Sequence, residues 1–180
     1  MIRIICEGLD DKKFIIQLLQ HLEENGELNA KPEYAKYIEV TNGKSDLLKS
    51  ETHLGATQEI TAGKIKKILF VFDADFIADN KCNGLENSQK CIEDLIQKLG
   101  WNITTDYHIF DKNLDDFILK TLDNKADFEA CEQCFELKKL NKNRKILTCI
   151  YQKLYPTKPY DFSHPNFNEL KQKLITLFKK

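Results

Sequence analysis

Apolar residues in this chain fall into two kinds of pattern: short continuous runs, and longer stretches in which they recur three or four positions apart. Continuous β-branched and aromatic runs predict strands covered on both faces, whereas the wider spacing predicts amphipathic helices. Ile2 to Cys6 reads as a first strand that turns at Glu7 and Gly8. Asp10 stands where it can cap a helix whose apolar stripe is Phe14, Ile15, Leu18, Leu19 and Leu22. Polar, turn-forming residues from Glu23 to Lys36 read as a connector, and Tyr37 to Thr41 as a second strand ended by Asn42-Gly43. Lys44 to Gly63 has no clear period, and Thr52 to Thr61 reads as a mobile loop.

Ile68 to Phe72 is the next buried strand, and after a loop a helical stripe runs through Leu85, Ser88, Cys91, Ile92, Leu95, Ile96 and Leu99, with Gly100 as a left-handed cap. Tyr107 to Phe110 follows as a further strand. Strands alternating with helices predict an α/β fold with a parallel-sheet core flanked by helices, and such sheets place functional groups beyond the carboxyl ends of their strands. From Leu114 the pattern is helical, over 114–122, 127–140, 145–154 and 167–178, with Asn166 and Glu169 resembling a capping box for the last. The chain therefore divides into an α/β core over residues 1–122 and a C-terminal helical extension over 123–180 packed on it.

Composition narrows the reading. With 180 residues, 42% of them hydrophobic, the chain can bury a core without disulfides. A formal net charge of -1 gives no global attraction for nucleic acid. The distribution is uneven: Lys138 to Lys180 holds 11 basic and 2 acidic residues, and Asp111 to Glu136 holds 8 acidic and 3 basic. The basic stretch reads first as a solvated helical face and second as a phosphate contact. No run approaches the roughly 20 apolar residues of a membrane helix. The opening "MIRIICEGLD" lacks the layout of a signal peptide, so a cytoplasmic location is expected, with the six cysteines reduced.

The chemistry concentrates where strands end. "FVFDAD" at 70–75 runs from apolar residues into Asp73 and Asp75, which share a face if the strand stays extended. Two carboxylates about 4 Å apart repel by roughly 4 kcal/mol at an effective dielectric near 20, so a shared proton, a lysine or a divalent cation must compensate them. Glu7, followed by Asp10 and Asp11, ends the first strand, and Asp115-Asp116 follows the strand at Tyr107 to Phe110. Three acidic clusters, each after a strand, point to a site for Mg²⁺ or Mn²⁺, whose hard ions take oxygen ligands.

"CEGLDDKKFI" at 6–15, "FVFDAD" at 70–75 and "NLDDFI" at 113–118 together resemble the motifs of Toprim-like domains, in particular compact families related to the overcoming-lysogenization-defect nucleases. The resemblance spans about Ile2 to Leu119, with Asn42-Gly43-Lys44-Ser45 similar to a glycine-lysine turn of relatives. It implies Glu7 as metal ligand or general acid/base, Asp73 and Asp75 as Mg²⁺ ligands, and Asp11 as a further acidic member of the first motif. Asp115 stands where the related nucleases carry glutamate, one methylene longer, so ligation through a water joins direct ligation as an alternative. The activity implied is Mg²⁺-dependent cleavage of nucleic-acid phosphodiesters, with Glu7, Asp73 and Lys44 as catalytic residues, Lys44 approaching the phosphate, and an ATPase as a potential protein partner. A non-catalytic module that binds nucleic acid or protein, and a phosphoesterase for small substrates, are the alternatives.

Other features carry less. "NGKS" is four residues of a much longer phosphate-loop signature. Cys131 and Cys134 in "CEQC" fit one face of a helix better than a zinc site, and Cys82 and Cys91 are spaced wrongly to complete one. The histidines are dispersed, with His53 expected in an exposed loop, and Trp101 reads as a packing residue.

Overall fold

The computed structural model describes residues 1–29, 33–76, 81–121 and 160–179. Four strands, β1 (Ile2–Cys6), β2 (Ile38–Val40), β3 (Lys67–Asp73) and β4 (Thr104–Phe110), form one all-parallel sheet in the order β2-β1-β3-β4. The helices are α1 (Leu9–Glu24), α2 (Lys44–Leu47), α3 (Leu54–Thr61), α4 (Leu85–Leu99), α5 (Leu114–Leu119) and α6 (Asn168–Phe178), with 3-10 turns at Tyr34–Tyr37, Ser50–His53 and Pro165–Phe167. The predicted helices over 127–140 and 145–154, and Cys131 and Cys134, lie outside the described residues.

The period of two along each strand divides the core into two layers. Ile4 and Cys6 of β1, with Leu69 and Val71 of β3, face a layer built from α1, α5 and α6. Ile5, Ile68, Phe70 and Phe72 face the other layer, made by Leu47, Ile65, Ile92 and Leu95. Phe14 of α1 joins the first layer together: its ring meets those of Phe110, Phe117, Tyr160, Phe162 and Phe167 at centroid distances of 5.5–6.3 Å. The segment leading into the C-terminal helix is thus held by aromatic contacts, and α6 itself joins the same core through Leu170, Leu174, Ile175 and Leu177.

Several elements differ from the sequence reading for identifiable reasons. Residues 44–63, read as unpatterned with a mobile loop, form α2, a 3-10 turn and α3; in α3 only Ala56 is buried and the rest is half-buried or exposed, so no apolar stripe announces it. His53, expected in solvent, is buried, with Nε2 2.7 Å from Leu47 O and its ring edge-on to Phe70 and Trp101. β4 begins three residues earlier than expected because it is an edge strand whose first residues, Thr104 to Asp106, are polar. Asp10 does not cap α1; Gly8 is the N-cap and its N–H donates to Asp11 Oδ2 at 2.8 Å. The Asn166–Glu169 capping box is absent too, since a 3-10 turn precedes α6 and the Asn166 amide donates to Phe117 O at 2.6 Å. Gly100 closes α4 in the left-handed conformation, φ 58°, as its position suggested.

His108 of β4 is buried against Phe110 and Phe117. Among the described residues neither ring nitrogen has hydrogen-bond geometry, and Glu169 Oε1 lies 3.5 Å from Nδ1. Desolvation outweighs Glu169 and pushes the imidazole pKa down to about 4.

Two predictions follow from this packing. Phe14→Ala should cost about 3–5 kcal/mol in urea denaturation, and a loss under about 1 kcal/mol would show that the aromatic cluster around Phe14 does not hold this layer together. For His108 the unfolded state takes up a proton near pH 6.5 and the folded state only near 4. Its contribution is complete above pH 6.5 and is lost as pH falls toward 4, on the order of 3 kcal/mol. Urea midpoints of the wild type should fall across that window, and those of His108→Phe should fall less.

Candidate functional site at the carboxyl end of the sheet

Strand order determines where a site can form. From β1 the chain steps to β2 on one side, then crosses back to β3 on the other, so the carboxyl ends of β1 and β3 flank a topological switch point, the usual crevice for ligands in open α/β sheets. Glu7 follows β1 and Asp73 ends β3. Pairing of Cys6 with Val71 brings the two ends side by side.

Glu7 is tied into the backbone of its neighbours. Its N–H donates to Val71 O at 3.1 Å, its C=O accepts from Gly43 N at 3.2 Å, and its Oε2 accepts from Asp73 N at 3.1 Å. Burial pushes its carboxyl pKa up, against the lowering effect of the Asp73 and Lys44 backbone N–H groups and of the Lys44 charge. Asp73 Oδ1 accepts from Leu114 N at 2.9 Å, so its carboxylate sits at the start of α5.

Asp75 departs from the extended geometry that would align it with Asp73. β3 ends at Asp73, and Asp75 has φ 58°, in the left-handed region that costs a non-glycine residue roughly 1 kcal/mol or more. Its N–H donates to Lys112 O at 2.6 Å, and Lys112 is itself left-handed, φ 64°. The turn directs the Asp75 carboxylate to Lys44.

Lys44 opens α2 just after Gly43, whose φ of 90° lets the chain turn from β2. The residue is 7% exposed. Its Nζ donates to Ala74 O at 2.7 Å and Ser88 Oγ at 3.0 Å, with Asp75 Oδ2 at 3.4 Å and Asn83 Oδ1 at 3.5 Å. Burial lowers its pKa, and Asp75, Glu7 and Asp73 oppose that shift. Of the compensations open to the acidic residues, a lysine is therefore present. A cleft of about 370 Å³ beside it is lined by Asn42, Gly43, Lys44, Ser45, Asp75 and Asn83 among others.

The site brings together Glu7, Lys44, Asp73 and Asp75. Asp11 is buried and serves the N-terminus of α1 through Gly8, and Asp115 lies in the first turn of α5 next to Leu114. Among the described residues no three or more His, Cys, Asp or Glu side chains are grouped so as to hold a metal ion. The chemistry of the donors still suits Mg²⁺, which commonly takes one or two protein carboxylates and completes its shell with water and substrate phosphate.

Sequence reasoning missed Ser88 and Asn83. Ser88 lies on the apolar stripe of α4 and is fully buried, and a hydroxyl within such a stripe is the one signal that pointed to it. It also missed that Cys82 and Cys91 are joined in a disulfide, their Cα atoms 5.8 Å apart, which corrects the expectation of reduced thiols for this pair; Cys6 is free and buried. In the described part of the basic C-terminal stretch, Lys171 donates to Phe162 O, and Lys173 bonds Tyr107 O and faces Asp106 and Glu169. These two lysines are structural. No described helix is long and apolar enough to cross a membrane.

The fold and site define a parallel α/β protein with a buried lysine and acidic residues at the switch point of its sheet. The chain matches no family model, no curated protein and no solved structure.

Lys44→Met should lower stability by about 1–3 kcal/mol in urea denaturation, since Ala74 O and Ser88 Oγ lose a charged donor. A change below about 0.5 kcal/mol, the range of ordinary surface substitutions, would show that the ammonium is not seated there.

Proposed function

We propose that the chain is a Mg²⁺-dependent Toprim-like domain that cleaves nucleic-acid phosphodiesters. The observation that carries this reading is the meeting of Glu7 and Asp73 at the switch point, with the Lys44 cleft beside them. Glu7 and Asp73 would hold Mg²⁺, with Asp75 lining the cleft beside them. The ion would supply charge neutralisation on the phosphate and activation of a water, with Mn²⁺ as a substitute. Glu7, with its proton affinity raised by burial, is suited to accept a proton from an attacking water. Lys44 presents a fixed positive charge to a phosphate entering the cleft, and Asp75 keeps that ammonium in place.

One observation favours a second reading. Lys44 already compensates Asp75, as a metal-free site would require, which suits a non-catalytic module that binds nucleic acid or a protein partner. Calorimetry with Mg²⁺ and Mn²⁺ separates the two. Asp73→Asn keeps an oxygen for Leu114 N, so it should fold, yet it should weaken metal binding at least about tenfold, the range seen when one ligand's support is removed. The wild type should bind metal more weakly at low pH, because a proton competes for Glu7 above the ordinary carboxylate range. Cleavage of DNA or RNA that needs the metal and is lost in Asp73→Asn completes the test. Absence of binding at millimolar metal would leave the non-catalytic reading.

A further inference from the structure

We propose that Cys82–Cys91 is a redox-modification site whose disulfide clamps the Lys44 side of the cleft, and whose reduction by a dithiol releases it. The bond joins the segment entering α4 to the second turn of that helix, nine residues on. Between its ends lie both of the polar side chains that α4 and its approach offer to Lys44. Ser88 Oγ accepts from Lys44 Nζ at 3.0 Å and donates to Cys82 O at 2.8 Å. Asn83 Oδ1 stands 3.5 Å from the same ammonium, and Asn83 O accepts from Asn87 Nδ2 at 3.0 Å. Gly84 N donates to Ala74 O, the carbonyl that also receives Lys44. One covalent link therefore closes a short loop that carries two of the four oxygen partners of a buried cation, Asn83 Oδ1 and Ser88 Oγ.

Cys82 and Cys91 are both partly exposed, so a reductant can reach them. In the reduction a dithiol gives two electrons and two protons: the Sγ–Sγ bond breaks, two thiols form, and the reductant becomes a disulfide. With the loop open, the ends of the segment are no longer fixed by covalent geometry, and the Cys82 carbonyl and Asn83 side chain lose their enforced position. The clamp goes beyond the proposed nuclease reading and does not depend on it, since its readouts need neither metal nor substrate.

The experiment compares the full-length protein, oxidised and dithiothreitol-reduced, with a Cys82→Ser, Cys91→Ser double variant. Peptide-level mass spectrometry after alkylation should find Cys82 and Cys91 blocked in the oxidised protein and labelled after reduction. Amide exchange at Gly84 and Ser88, and reductive methylation of Lys44, should then accelerate about tenfold or more, the change expected from roughly 1.4 kcal/mol of lost local restraint. The double variant should show the fast rates with and without reductant, and its circular dichroism reports whether the fold is kept. Cysteines that remain free thiols after treatment with oxidised glutathione would overturn the proposal. Equal exchange and labelling rates in the two redox states would overturn it as well, whatever the metal titrations give.

Discussion

A parallel strand covered on both faces has no place for a polar side chain except at its ends. β1 and β3 are the two central strands here, and from Ile4 to Cys6 and from Ile68 to Phe72 every residue is buried. Their carboxylates therefore appear at the first positions that reach the sheet's edge, Glu7 and Asp73. Parallel register then does the rest. With Cys6 opposite Val71, the Glu7 carboxylate takes the Asp73 N–H just where the backbone ladder runs out. The same bond that ends the sheet also fixes the geometry of the site.

This constraint accounts for how much could be read from the amino-acid sequence. The buried strands, the stripes of α1 and α4 and the parallel order were legible because burial on two faces imposes continuous apolar runs and burial on one face imposes a helical period. Glu7 and Asp73 were legible for the same reason, as charges that interrupt such runs. Residues 44–63 were not, because short helices whose buried residues are Lys44, Leu47, His53 and Ala56 leave no apolar period to detect. The position of Asp75 was hidden by backbone conformation: period-two reasoning holds only while the chain is extended, and Asp75 is left-handed. Ser88 and the Cys82–Cys91 bond were hidden because their partners are distant in sequence or depend on how a loop folds back.

Lys44 shows why charge balance cannot be judged from carboxylates alone. An ion pair at 3.4 Å gains about 5 kcal/mol gross at an effective dielectric near 20, but Asp75 is 44% exposed at its side chain and water screens much of that gain. Desolvating the ammonium costs several kcal/mol in its own right. The neutral acceptors Ala74 O and Ser88 Oγ, at 2.7 and 3.0 Å, are therefore needed to seat the cation, and Asp75 orients it more than it stabilises it. α4 thus contributes to the site through a serine, although no acidic residue of that helix takes part.

The acidic residues at the sheet edge consequently have two different solutions to their repulsion. Asp75 faces an ammonium, whereas Glu7 and Asp73 each accept a backbone N–H, from Asp73 and Leu114 respectively, and Glu7 also shifts toward its protonated form through burial. A backbone N–H satisfies one lone pair of a carboxylate without cancelling its charge, and burial raises the proton affinity of Glu7 because the charged form loses its water. Under the proposed metal-dependent reading, a divalent cation at Glu7 and Asp73 would leave Lys44 with Asp75. In that reading the lysine and a metal would not be rivals for the same carboxylate; they would divide the cluster, with the cation at the strand ends and the ammonium at the cleft.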